Sequence, residues 1–268
     1  LREFLYVLTE QAYQSADIAL LARHLLVEPA DMGFAGQRRL LLILRADGRA
    51  AAVTIDRNVN VVAWSLLETA GSLAALTVHE GELWFLVAAG GGVFLERLDD
   101  SLGMDHARTL SSPAATAVWT GLDEYEGQVV VATTAEGDLV RATVISGTVT
   151  LPRPTAGLTV GLPFTLTVEP MPVAIPSAAG VSPDHAYRPV RVSFRVLETS
   201  ALSADVGDGT RPVLPAPANA NTPGFTGDVA LRAMGWRRGM GRPPWRVVQD
   251  DPLPATILSV TTEIKVND

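Results

Sequence analysis

Short apolar runs divided by turn dipeptides constrain this chain more than any other feature. The segments 40–45, 51–55, 59–66, 72–78, 83–88 and 93–98 are rich in Val, Leu and Ala. Each has the length of a strand and is too short for a stable isolated helix. Asp47-Gly48 is a strong hairpin signal, and Glu80-Gly81 and Glu136-Gly137 echo it, with Gly supplying the positive φ that other residues resist. The turns are unevenly spaced, so there is no repeat of fixed period. Consecutive hairpins of this kind predict a mainly β chain of propeller-like or meander antiparallel sheets.

One helix is expected, near the start. Residues 4–9 suit a strand. Ser15-Ala16-Asp17 then offers N-cap chemistry before Ile18, Leu21, Leu25 and Leu26 at helical spacing, which predicts a helix over 16–26. His24 has no ligand partner at i±3 or i±4 and reads as solvated or capping. The apolar rhythm stops over 99–113, which reads as connector and places a boundary near 100–115. Three regions follow: a propeller-like region with the helix at 1–104, a small β module at 105–154, and a sandwich-like β region at 155–268. The middle module would use strands at 117–119, 129–133, 139–144 and 148–151, and end where Pro152-Arg153-Pro154 stops the ladder. In the last region, 157–160 reads as strand. In 189–197, Val190, Val192, Phe194 and Val196 face one way, and Arg191, Ser193 and Arg195 the other. The Pro-, Ala- and Asn-rich stretch 212–223 reads as a long exposed arm suited to packing on a neighbouring subunit.

Composition narrows the function. With 268 residues and 47% hydrophobic content the chain can bury one sizeable core or two to three small ones. It has no cysteine, which removes disulfides, thiolate nucleophiles and Cys-ligated zinc together. A net charge of −8 is the wrong sign for tight phosphate binding but suits a wall along which DNA slides. Lys265 is the only lysine, an arginine bias that fits a GC-rich genome. No run reaches the roughly 18 to 20 apolar residues of a membrane-spanning helix, and there is no signal-peptide pattern.

Chemistry-bearing motifs are scarce. The carboxylate groups Asp99-Asp100, Asp123-Glu124-Glu126 and Asp250-Asp251 lie at turns beside Gly or Pro, where acidic residues are ordinary punctuation. His24, His79, His106 and His185 have no metal-ligand spacing. Gly90-Gly91-Gly92 resumes as strand without a GK[ST] and reads as a hairpin turn. Trp64 and Trp84 lie within apolar strands and read as core. No catalytic, cofactor or metal site is expected. The one basic concentration is the loop 234–246, where Trp236, Arg237, Arg238, Arg242, Trp245 and Arg246 combine charge-assisted donors with large apolar area. They are the subunit-contact candidates. A solvated hairpin tip is the bland reading of this loop, and phosphate contact with DNA the third.

A resemblance adds to this. Phe225-Thr226-Gly227-Asp228-Val229, Gly235-Trp236 and the stretch from Val247-Val248-Gln249-Asp250-Asp251 to the closing strand stand in a characteristic order. So do Gly161-Leu162-Pro163-Phe164, Thr120-Gly121-Leu122-Asp123, Asn60-Val61-Val62-Ala63-Trp64 and Glu82-Leu83-Trp84-Phe85. Together they resemble the C-terminal portion of phage tail-nozzle proteins, the tail-tubular B type of short-tailed phages and prophages. The resemblance implies a virion subunit made in the host cytoplasm, and a sixfold ring at the end of the tail tube. Its partners would be an adaptor ring and fibres or spikes, with DNA passing transiently and without specific binding. It also implies that the numbering begins inside a longer polypeptide. The alternatives are a carbohydrate- or receptor-binding β protein of the virion and, third, a polysaccharide depolymerase.

Overall fold

Hairpin chemistry organises the first hundred residues. The computed structural model describes residues 1–173, 175–177, 180–182, 186–233, 235–238 and 243–266. It is mainly β, 61% strand against 2% helical, in several antiparallel sheets. The chain divides into two units, Leu1–Asp100 and Ser101–Asp268. In the first, β1 (Arg2–Val7) and β2 (Ala12–Asp17) pair as a two-stranded hairpin. A four-stranded meander follows: β3 (Pro29–Ala35), β4 (Leu40–Arg45), β5 (Ala50–Asp56) and β6 (Val61–Leu67). A three-stranded one closes the unit: β7 (Ser72–His79), β8 (Glu82–Ala89) and β9 (Gly92–Arg97). Glu80 and Gly81 (φ 51° and 84°), and Gly90 and Gly91 (φ 54° and 80°), form two-residue loops with both φ positive, the combination whose twist matches antiparallel strands. The core lies between the meanders, where Leu42, Leu44, Ala50 and Ala52 meet Leu73, Leu76, Leu83, Phe85 and Val87.

The helix expected over 16–26 is absent. Residues up to Asp17 belong to β2, and only a single 3-10 turn, Arg23–Leu25, follows. Asp17 does cap, its Oδ1 accepting from Ala19 N at 3.0 Å, but it closes a turn. The stripe that read as a helical face is not buried as one: Leu21 is 93% exposed, whereas Ala19 and Ala22 are buried. Tertiary bonds replace the helical ladder, since the Ile18 carbonyl accepts from Trp64 Nε1 at 3.1 Å and the Leu25 carbonyl from Arg45 at 3.3 Å.

The second unit is built on longer strands. β10 (Asp105–Trp119), β11 (Val129–Thr134), β12 (Leu139–Thr143) and β13 (Val149–Leu162) form a sheet in the order β10-β13-β11-β12. Thus most of the stretch expected as connector, 99–113, is strand, and the expected boundary at 154/155 falls inside β13. The β10–β13 register explains why both were hard to see. Ser111 pairs with Gly157 and Thr116 with Thr155, so 112–115 bulge, and Val118 then pairs with Thr150, so 151–154 bulge in turn. Pro113, Pro152 and Pro154 all occupy bulges, where a missing N–H leaves no ladder bond unmade. Trp119, Leu122, Tyr125, Val130, Val149, Leu158 and Val160 fill the core beneath. A 3-10 turn, Asp123–Tyr125, delivers Tyr125, whose hydroxyl donates to the His106 carbonyl at 2.5 Å.

The remaining strands are β14 (Leu166–Val168), β15 (Ile175–Ser177), β16 (Gly180–Ser182), β17 (Ala186–Thr199), β18 (Leu202–Asp205), β19 (Thr210–Leu214), β20 (Phe225–Arg232), β21 (Arg237–Arg238), β22 (Arg246–Gln249) and β23 (Thr256–Val266). One sheet runs β14-β22-β18-β19. In a second, β17 pairs with β20 and β21 and also with β23, and β15 and β16 form a separate two-stranded sheet. Val192, Phe194 and Val196 of β17 pack on Leu202, Ala204, Trp245 and Val247 from the facing layer. Val190 leaves the expected stripe, because a register shift between Pro189 and Arg191 changes the phase. Tyr187 and Pro189 are buried before the shift, Val192 after it, and Val190 is half-buried.

The Pro-rich stretch docks on its own chain. Val213 and Leu214 lie against the core. Asn219 and Asn221 donate to the Glu136 and Ala135 carbonyls at 2.7 and 3.2 Å, and Ala220 N donates to the Gly137 carbonyl at 2.7 Å. Gly137 (φ 89°) lets the loop approach, since a Cβ there would collide with Asn219.

Candidate functional site: a basic concavity on the C-terminal sheet

The six residues of the arginine-rich loop do not act as one site. Trp236 is 55% exposed. Arg237 and Arg238 extend the edge of the sheet, pairing with Tyr187 and Ala186. Arg242 lies outside the described residues. Trp245 belongs to the core, 9% exposed, with its ring edge-on to Phe194 at 5.7 Å and its Nε1 donating to Thr262 Oγ1 at 3.0 Å. It cannot anchor a partner from there. Arg246 faces Glu169 at 3.6 Å and Asp205 at 3.9 Å in the same chain. The missed signal was alternation: Trp245 is in phase with the buried Val247 and Gln249.

The register of β17 builds a site that no local motif announces. Arg191 stands opposite Arg232 of β20 on one side and Glu263 of β23 on the other, and Arg188 stands opposite Lys265. Arg188, Arg191, Arg232 and Glu263 line an open concavity of about 780 Å³, together with Val190, Ala230, Leu231, Ala233 and Gly235. Gly235 makes this hollow continuous with the loop singled out from sequence.

Charge pairing sets these residues apart. Thirteen described arginines reach a carboxylate within 4.0 Å, among them Arg38, Arg49, Arg195 and Arg211. Arg2 donates to Ser15. Among the described residues Arg188, Arg191, Arg232 and Lys265 make no such pair, and all four lie on this sheet. The contrast with Arg195 is local. Two positions along the same face, its guanidinium clasps Asp228 at 2.8 and 2.9 Å, which holds that carboxyl below its usual range. Arg188 Nε is sheltered from solvent without a hydrogen-bond partner.

The carboxylate clusters serve the fold. Glu126 accepts from Ser146 N at 2.9 Å and Gly147 N at 2.7 Å, bonds that lower its pKa, and so locks the 146–147 turn. Glu124 pairs with Arg108, and Asp251 with Arg141 at 3.2 Å. His24 and His79 are exposed, and His185 lies outside the described residues. Among the described residues no group of three potential ligands gathers as a metal site, and no helix is long and apolar enough to cross a membrane. Trp64 and Trp84 are half-buried on their strands, and Trp119 is core. No family model matches the chain, and no curated protein matches it in sequence.

Proposed function

We propose that the chain is a structural subunit of a phage or prophage tail, forming a nozzle-like ring at the end of the tail tube through which DNA is ejected. The observation that carries this reading is the apolar surface of Leu1–Asp100. The β1–β2 hairpin has only two strands, yet Phe4, Leu5, Leu8 and Tyr13 are 68, 54, 82 and 73% exposed. A lone hairpin is marginal in water, and apolar surface of this kind is what a subunit covers on assembly. The motif order resembling tail-nozzle proteins supports this particular assembly, with an adaptor ring and fibres or spikes as partners. A structural rather than catalytic role is supported by the carboxylates, which are engaged in turns and ion pairs.

The test is negative-stain imaging of the purified protein. Sixfold rings are expected. A monomer that binds on a glycan array would move the reading to a receptor-binding module, and loss of viscosity in capsular polysaccharide would move it to a depolymerase.

A further inference from the structure

We propose that the concavity lined by Arg188, Arg191 and Arg232 binds a phosphate group, free or carried on a nucleic-acid backbone. The inference does not rest on the tail reading. Two arginines directly opposite on neighbouring strands repel each other. This chain, at net −8, supplies a carboxylate within 4.0 Å to thirteen other described arginines, yet brings none that close to these, although Glu263 shares the wall. Their convergence on one hollow is a stored demand for an anion.

The geometry selects the anion. Three guanidiniums less the Glu263 carboxylate leave two positive charges on the wall, the complement of a free phosphate dianion or of two successive backbone phosphodiesters of one charge each, rather than of a single carboxylate. Arginine forks match phosphate oxygens, and Arg188 Nε is a donor still to be satisfied. Val190, Leu231 and Ala233 add apolar wall, which strengthens each charge-assisted bond by lowering the local dielectric. At about 780 Å³ the hollow exceeds what bare phosphate fills, leaving room for water or for the group that carries the phosphate.

The experiment is titration of the whole chain at low salt with sodium phosphate by calorimetry, and with a short labelled DNA duplex by anisotropy. The wild type should saturate with one or both probes. Arg191→Ser with Arg232→Ser should weaken binding roughly tenfold or more, since each lost charge-assisted bond is worth about that factor. Glu263→Gln should tighten it. Competition of phosphate with the duplex would seat a DNA phosphate in the hollow, and phosphate binding without duplex binding would make it a small-anion site. Either supports the proposal. No saturation by either probe, or an arginine double variant that binds like wild type, overturns it. If that variant fails to fold, Glu263→Gln decides alone, and unchanged affinity overturns the proposal.

Discussion

The two units use the same β chemistry with opposite logic. In Leu1–Asp100 strands pair with their sequence neighbours through short loops, every described arginine but Arg2 has a carboxylate, and apolar side chains remain on the surface. In Ser101–Asp268 the central pairings, β10 with β13 and β17 with β23, join distant segments across bulges, and the unpaired cations collect there. In the first unit the charges are settled both inside a hairpin, as in Arg45 with Asp47, and between hairpins, as in Arg38 with Glu82 and Arg57 with Glu3. Distant pairing brings together residues that no hairpin would combine, and that is how a site arises in a chain without a site motif.

Hollowing out each core should produce the largest effect. Leu83→Ala and Phe194→Ala remove fully buried side chains from different clusters, and each should cost about 2–5 kcal/mol. Hydrogen exchange resolved by residue should show the loss confined to the unit that carries the change. Equal loss of protection in both units would mean that their cores are not separate.

A smaller effect distinguishes turn from dock. Gly91 (φ 80°) has open space around its missing Cβ, so Gly91→Ala should cost only the left-handed backbone penalty, about 1–2 kcal/mol. Gly137→Ala adds the displacement of Asn219, should cost more, and should speed exchange of the Ala220 amide. Equal costs would remove the dock from the account.

The smallest effect is in acid. The folded pKa of Glu126 is depressed by backbone N–H donors, and that of Asp47 by side-chain bonds from Arg49 and then Arg45. A depressed carboxylate contributes stability above its unfolded pKa and loses it as pH falls through the folded one. Glu126→Gln and Asp47→Asn should each flatten the acid limb of a stability–pH curve. Added salt should shrink the Asp47 contribution more than that of Glu126, because the partner with the largest effect on Asp47, Arg49, is exposed, although Arg45 is buried. A salt response at Glu126 as large as at Asp47 would refute the assignment.

What could be read from the sequence follows the same division. β4 lies where its apolar run predicts, at Leu40–Arg45, and β7 and β8 fall within a residue of expectation, because alternation and Gly turns are local signals. The β10 strand was hidden by Ser111-Ser112-Pro113 at its bulge, and the supposed helix by capping chemistry at Asp17 that the fold uses for a turn. Of the site, the outward placement of Arg191 was legible from its alternation with Val192 and Phe194. Its meeting with Arg232, Glu263 and Arg188 was not, because register across the β17 shift is a property of the folded sheet.

Whether distant strand pairing assembles an anion site on the C-terminal sheet can be read from arginine Nε–Hε resonances during phosphate titration. Shifts are expected at Arg188, Arg191 and Arg232 with a common midpoint, while Arg195, held by Asp228, stays still. Shifts confined to other arginines, or spread evenly over all of them, would contradict it.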